Sequence, residues 1–411
     1  MLTWALPFNI CCFLDSHSYD SSPPAFECLL AAGAVETFTA TTGNAFSGLK
    51  EWSAVREDWL IGHFAYDLAA ETEPIKGGTS FADPVGFPDL AFFVPVHLIL
   101  LQKDSIRIGS LGEDPAVVWQ QIAATVPANR PPSAAPPSFT PRFTREEYLS
   151  TVTALRRHIL RGDCYEINFC QEFFDSDAAI DPYSTWWALS QASPNPFAAF
   201  YRLDERFLLC SSPERFLKRT GDTLSSQPIK GTAARVRQDV AADRLQRERL
   251  FQSGKDRAEN VMVVDLVRND LARVCRPGSV HVAELFGIYP FPQVFQMIST
   301  VVGEMLPGID WTDAIRACFP MGSMTGAPKN RVVQLINQYE RSRRGLFSGA
   351  VGYRDPSGNF DFNVVIRSLL YNRADRYLSY QVGSGITFYS DPEAEYAECL
   401  VKAEGLRQAL R

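Results

Sequence analysis

Apolar residues recur along this chain in two rhythms. Short runs such as "WLIGHFAYDL" from Trp59 and "LAFFVPVHLILLQ" from Leu90 are dense in aromatic and branched residues, which predicts buried strands. Further on, "RFLLCSS", "GAVGYRD", "FDFNVVIRSLLY" and "RYLSYQVGSGITF" read the same way. The last three follow one another with only Asp-Pro-Ser-Gly and Asn-Arg-Ala-Asp between them, so they predict antiparallel pairing.

The second rhythm is helical. Thr144 and Glu147 form a T-x-x-E capping box, after which Tyr148, Val152, Leu155 and Ile159 share one stripe and Gly162 supplies a stop. Residues 253–274, "SGKDRAENVMVVDLVRNDLARV", predict a helix of four turns or more. Asp391 followed by Pro392 predicts an N-cap and first helical position near the C-terminus. Helices and strands without a regular βα alternation point to an α+β fold built on a large, mostly antiparallel sheet system. The Pro-rich stretch 126–143 reads as an extended connection between residues 1–125 and residues 144–411, joining parts of one intertwined unit.

Composition narrows the function. The chain has 411 residues, 46% hydrophobic and 21% charged, as an ordinary globular protein has. A formal net charge of -7 with no dense basic run argues against nucleic acid as a partner. The longest apolar run is about 13 residues, too short for a bilayer, and the N-terminus lacks the basic start of a signal peptide, so no membrane is expected. Nine scattered cysteines without a C-x-x-C pair predict the reduced thiols of a cytoplasmic protein and no structural zinc. None of the five histidines lies between residues 290 and 402, where the motifs are densest, so lysine and carboxylates are the better candidates for chemistry.

In "SSQPIKGTAAR", residues 225–235, Lys230 stands between Ile229 and Gly231 in what reads as a strand end entering a tight turn. A pinned, partly desolvated lysine has a lowered pKa and can act as a nucleophile; a solvated turn lysine is the plainer alternative. Glu395 and Glu398 share a helix face, with Lys402 one turn beyond Glu398. Together with a third carboxylate from another helix, they would suit Mg²⁺. The Gly-rich "FPMGSMTGAPKN" leads into a helix whose N-terminus suits an anion, Gly383 and Gly385 allow close backbone approach, and Arg367 in the strand "VVIRSLL" offers a carboxylate fork.

The ordered set "SSPERF", "PIKGT", "DRAENVMVVDLVRNDLARV", "GSMTGAPKNR", "GAVGY", "VVIRS", "GSGI" and "SDPEAEYAECLVKA" resembles the chorismate-utilising enzyme family, strongly over residues 144–410 and loosely before them. The resemblance implies a two-sheet, mostly antiparallel α/β sandwich with outer helices, with the N-terminal part wrapped onto the chorismate-binding core. It implies chorismate as substrate and Mg²⁺ as cofactor, held by Glu259 and Glu398 with Glu395 close by. It places Arg367, the turn at Gly383 and Gly385, Ser323, Thr232 and Lys402 against the substrate. Lys230 would attack ring carbon C2, and Glu214 would protonate the departing C4 hydroxyl.

That lysine stands in members that aminate chorismate at C4 to give 4-amino-4-deoxychorismate for 4-aminobenzoate and folate synthesis, where anthranilate-forming members carry alanine; isochorismate-forming and salicylate-forming members also carry it, to activate water. Nothing in the chain resembles a glutaminase, so the implied ammonia source is a separate glutamine amidotransferase subunit. Gln296 stands where members forming anthranilate carry histidine, and Phe347 where many relatives carry an aromatic hydroxyl or indole. The alternatives are an anthranilate-forming, isochorismate-forming or salicylate-forming enzyme of the same fold, or a non-catalytic binding subunit.

Overall fold

The computed structural model describes residues 1–19, 26–74, 81–126 and 136–411, so residues 127–135 of the Pro-rich connection lie outside the described residues. All strand pairs among the described residues are antiparallel. The strands form two sheets that share a seam.

One sheet runs Ser105–Ser110, Leu90–Gln102, Cys28–Ala40, Ile10–Asp15, Phe197–Leu203, Arg206–Ser212, Ser368–Asn372, Tyr377–Ile386 and Glu166–Asp175. The other runs Leu60–Phe64, Ala350–Arg354, Phe360–Asn363, Arg215–Thr220, Thr223–Gln227 and Val294–Glu304, the last flanked also by Ile229–Ala234 and His281–Pro290. The long strand Leu90–Gln102 belongs to both. Its first residues pair with Leu60–Phe64 and its last with Ser105–Ser110, so the hydrogen bonding is continuous from sheet to sheet. This is the apolar run read from sequence as a buried strand, with the same limits.

Period-two alternation sorts the side chains of the first sheet into two cores. Cys12, Leu29, Ala31, Tyr201, Leu208 and Cys210 join the core shared with Phe64, Phe92 and Phe362 of the second sheet. Their chain neighbours Cys11, Leu30, Ala32, Phe200, Phe207 and Leu209 face the other way. There they meet the apolar stripes of the helices Arg145–Leu160, Pro182–Ala192, Lys329–Tyr339 and Pro392–Gln408. The result is the sandwich with outer helices that the resemblance implied.

The local signals behave as their chemistry requires. Thr144 caps Arg145–Leu160 in a full capping box with Glu147, and Tyr148, Val152, Leu155 and Ile159 are buried. Asp391 caps Pro392–Gln408, and Ser253 caps Gly254–Ala272. All nine cysteines are free thiols. Among the described residues no helix is long and apolar enough to cross a membrane.

Two neighbouring stretches of chain pass from one sheet to the other, and they do so side by side. Arg206–Ser212 leaves the first sheet and re-enters the second as Arg215–Thr220, turning at Pro213 and Glu214. Phe360–Asn363 leaves the second and re-enters the first as Ser368–Asn372, turning at Arg367. The run "FDFNVVIRSLLY", which reads as one strand in sequence, is therefore two. Arg367 takes a left-handed φ of 50° at the corner instead of lying in a strand. The crossings are tied together where the Val364 N–H donates to the Glu214 carbonyl at 3.0 Å and the Ser211 N–H to the Arg367 carbonyl at 3.2 Å. Corners of this kind are how a sheet changes layer.

Phe362 is fully buried, stacked on Trp311 at 6.3 Å and edge-on to Phe64 at 5.4 Å. Phe362→Ala should cost about 3–5 kcal/mol of unfolding free energy, against about 1 kcal/mol for Thr144→Ala at the helix cap, both measured by urea denaturation.

Candidate active site

The crossing corners deliver Glu214 and Arg367 to the same place. Glu214 is buried, and burial pushes its carboxyl up to about 7 against the opposing pull of the Ser323 hydroxyl and the Lys230 ammonium. Arg367 is pushed down by burial and held up only by Glu214. Among the described residues no carboxylate lies within ion-pairing distance of its guanidinium, which leaves a cation facing the seam. A narrow cleft reaches Glu214 beside Pro228, Gly322, Ser323 and Val364. A second, roomier cleft, lined by Tyr19, Phe26, Phe197 and Tyr353, contains none of Lys230, Glu214, Glu259 or Arg367.

Lys230 enters from the second sheet. The sequence suggests a strand running into a turn, but Lys230 and Gly231 form a bulge inside the strand Ile229–Ala234. Ile229 pairs with Ile298 and Thr232 with Gln296, so two residues stand against one. A bulge of this kind re-aims a side chain. Gly231 carries it with a φ of +97°, where an added Cβ would also press on Asp256 at 3.0 Å.

The re-aimed Lys230 ammonium ion-pairs with Glu166, the first residue of the strand Glu166–Asp175. Burial pushes the Lys230 ammonium down, but the carboxylates of Glu166, Glu259 and Glu214 outweigh it and hold the lysine above its ordinary pKa. The lowered pKa expected from sequence is thus reversed, because carboxylates and not cations surround the amine. Gly385 makes room for this pair: a Cβ there would sit 2.7 Å from the Lys230 Nζ and 2.8 Å from Glu166. Gly383 and Gly385 lie in the strand Tyr377–Ile386, not in a turn. Gly383 owes its small size to the neighbouring strand, where a Cβ would collide with Cys170. Its carbonyl accepts from the Lys402 Nζ at 2.8 Å.

Glu259, on the helix Gly254–Ala272, faces the same space. Burial pushes it up to about 7, with Lys230 opposing. Its Oε1 is buried without a hydrogen-bond partner among the described residues. The Lys255 Nζ lies 3.8 Å from Glu259 and 3.8 Å from Glu395, so these two carboxylates flank one point. Glu395 is buried, whereas Glu398 is exposed and paired with Lys402 at 2.8 Å.

The structure therefore gathers Lys230, Glu214, Ser323, Arg367, Glu259 and Gly385, with Glu395, Glu398, Gly383 and Lys402 along one rim. Thr232 is exposed on the strand beyond the bulge. Gln296, opposite it, is fully buried with both amide atoms unpartnered among the described residues. Phe347 packs in the core between the sheets. Sequence reasoning missed Glu166 and Lys255. The signal for Glu166 was a carboxylate opening an otherwise strand-like run, "EINFCQEFF", since a buried charge needs a partner.

A family described as chorismate binding enzyme matches residues 15–408. Aminodeoxychorismate synthase component 1 of Klebsiella aerogenes is 36% identical over 354 residues, covering 85% of this chain and 76% of that protein. The Bacillus subtilis (strain 168) protein of the same name is 32% identical over 366 residues, covering 85% and 76%. Anthranilate synthase component I from Streptococcus pneumoniae TIGR4 superposes with a TM-score of 0.82 at 24% identity, covering 95% of this chain and 93% of that one, which establishes the shared fold. Read with the lysine, the protonatable glutamate and the arginine at the sheet seam, these likenesses establish that the chain belongs to the chorismate binding enzyme family.

Proposed function

We propose that this protein is the synthase component that aminates chorismate to 4-amino-4-deoxychorismate, using ammonia from a separate glutamine amidotransferase. The observation that carries the reading is Lys230, set by a bulge into a water-poor seam opposite a carboxyl that burial keeps protonatable. The relatives' shared name, component 1, supports a partner component.

The chemistry follows from what each group can do. Chorismate carries two carboxylates, and the Arg367 guanidinium offers one a fork. The Lys230 Nζ attacks ring carbon C2, the ring double bond shifts, and the C4 hydroxyl leaves with the Glu214 proton as water. Ammonia then adds at C4, the double bond returns, and the C2–N bond to Lys230 breaks. The ammonium formed at C4 gives one proton back to Glu214, so one water is lost for each ammonia gained.

The residues near Glu259 fit a hard divalent cation: a buried carboxylate oxygen with no hydrogen bond among the described residues faces a second buried carboxylate across the lysine ammonium that ion-pairs with both. Among the described residues no three His, Cys, Asp or Glu side chains converge enough to hold a metal alone. Glu259 and Glu395 would hold Mg²⁺, with Glu398 at the rim and the remaining positions filled by substrate oxygens and water. When bound, Mg²⁺ supplies charge neutralisation at a substrate carboxylate and withdraws electron density from the ring.

Purified protein with chorismate, Mg²⁺ and ammonium should form 4-amino-4-deoxychorismate, identified by mass and by its conversion to 4-aminobenzoate when a lyase is added. Lys230→Ala should abolish that product. Anthranilate, isochorismate or salicylate as the product would overturn the reading.

Glu214 must carry its proton to act, so kcat/KM should fall as pH rises through about 7. Glu214→Gln should lower kcat by about 10²–10⁴-fold and remove that limb, as a pH–rate profile would reveal. Lys255 occupies the point a cation needs, so Lys255→Met should tighten Mn²⁺ binding roughly tenfold, read by electron paramagnetic resonance of the free ion.

A further inference from the structure

Lys230 can attack carbon only as a neutral amine, yet every group that touches it favours the ammonium. Of the carboxylates around it, Glu214 is committed to the leaving hydroxyl, while Glu259 faces Lys255 and the rim. Glu166 is left, and among the described residues it is the one in direct ion-pair contact with the amine. Its side chain is 3% exposed, against 11% for Lys230, so bulk water has poor access to the proton between them. Its second oxygen, Oε2, is buried with no hydrogen-bond partner among the described residues, which leaves this carboxylate to the lysine. Gly385 leaves the pair uncovered by any side chain of its own.

We propose that Glu166 is the proton partner of Lys230, taking the ammonium proton before attack and returning it after the lysine is expelled. The inference rests on the amination reading and deepens it. The proton inventory closes. Lys230 ammonium and Glu166 carboxylate become amine and carboxylic acid. The amine forms the C2–N bond and later leaves as an amine, and the Glu166 acid re-protonates it. No external acid, base or oxidant is needed. The other charged groups facing the pair are Glu214 at the crossing corner, Glu259 with Lys255 on the helix Gly254–Ala272, and Glu398 on the helix Pro392–Gln408.

A purely electrostatic Glu166 would act in the opposite direction. If it only held the lysine charged, removing its charge would free more amine, and activity would rise at every pH below the lysine's own titration. The test is steady-state turnover of chorismate with ammonium and Mg²⁺, from pH 6 to pH 10, for wild type, Glu166→Gln and Glu166→Asp. Wild type comes first: if it leaves chorismate unchanged, the amination reading fails and this inference fails with it. With wild type active, Glu166→Gln should lose about 10²–10⁴-fold in kcat near neutrality, with KM little changed, and should recover as pH rises and hydroxide takes over. Equal or higher activity in Glu166→Gln overturns the proposal. Should circular dichroism show that Glu166→Gln does not fold, Glu166→Asp decides. It keeps a carboxylate one methylene farther away, so a smaller kcat loss supports the proposal and an unchanged profile overturns it.

Discussion

A lysine ammonium taken out of water must be met by negative charge, and the site is arranged around that requirement. Desolvating an ion costs several kcal/mol, and only close opposite charges offset it. Glu166, Glu259 and Glu214 converge on Lys230 from three different parts of the chain. Each depends on a backbone device. A bulge aims Lys230, the start of the strand Glu166–Asp175 presents Glu166, a sheet-to-sheet corner holds Glu214, and a long capped helix carries Glu259. Moving the bulge or the start of the strand Glu166–Asp175 would leave a buried charge without its nearest counterpart.

The seam between sheets is what makes this convergence feasible. Within one sheet, neighbouring side chains alternate up and down, so few can point at one spot. At the seam, the first sheet contributes Glu166 and Gly385 and the second contributes Lys230. The corners between them add Glu214 and Arg367. The left-handed backbone of Arg367 is a strained choice for a residue with a Cβ. It coincides with a guanidinium that has no carboxylate to pair with among the described residues. Strain and an unpaired cation together are what a carboxylate-binding position calls for.

The parts of the molecule that could be read from sequence are those decided by near neighbours. Thr144 with Glu147, and Asp391 with Pro392, each fix a helix start within a few residues, and the run from Leu90 was apolar enough to be a buried strand and nothing else. Lys230, Glu214 and Glu259 were legible because they sit in recognisable motifs. What escaped was set by contacts far apart in the chain. Glu166 meets Lys230 across 64 residues, and nothing beside Glu166 announces it. The change of sheet at Arg367 was hidden in an unbroken β-prone run, and the bulge at Gly231 looked like a turn because glycine serves both. The same long-range charges reversed the expected pKa of Lys230, which composition alone could not reveal.

The most direct test of the central claim is intact and peptide mass spectrometry of the protein quenched in acid while it acts on chorismate with Mg²⁺ and no ammonia. The account predicts a covalent adduct of chorismate less one water, carried by the peptide that contains Lys230. Full turnover on adding ammonia with no adduct at Lys230, or with Lys230→Ala equally active, would contradict it.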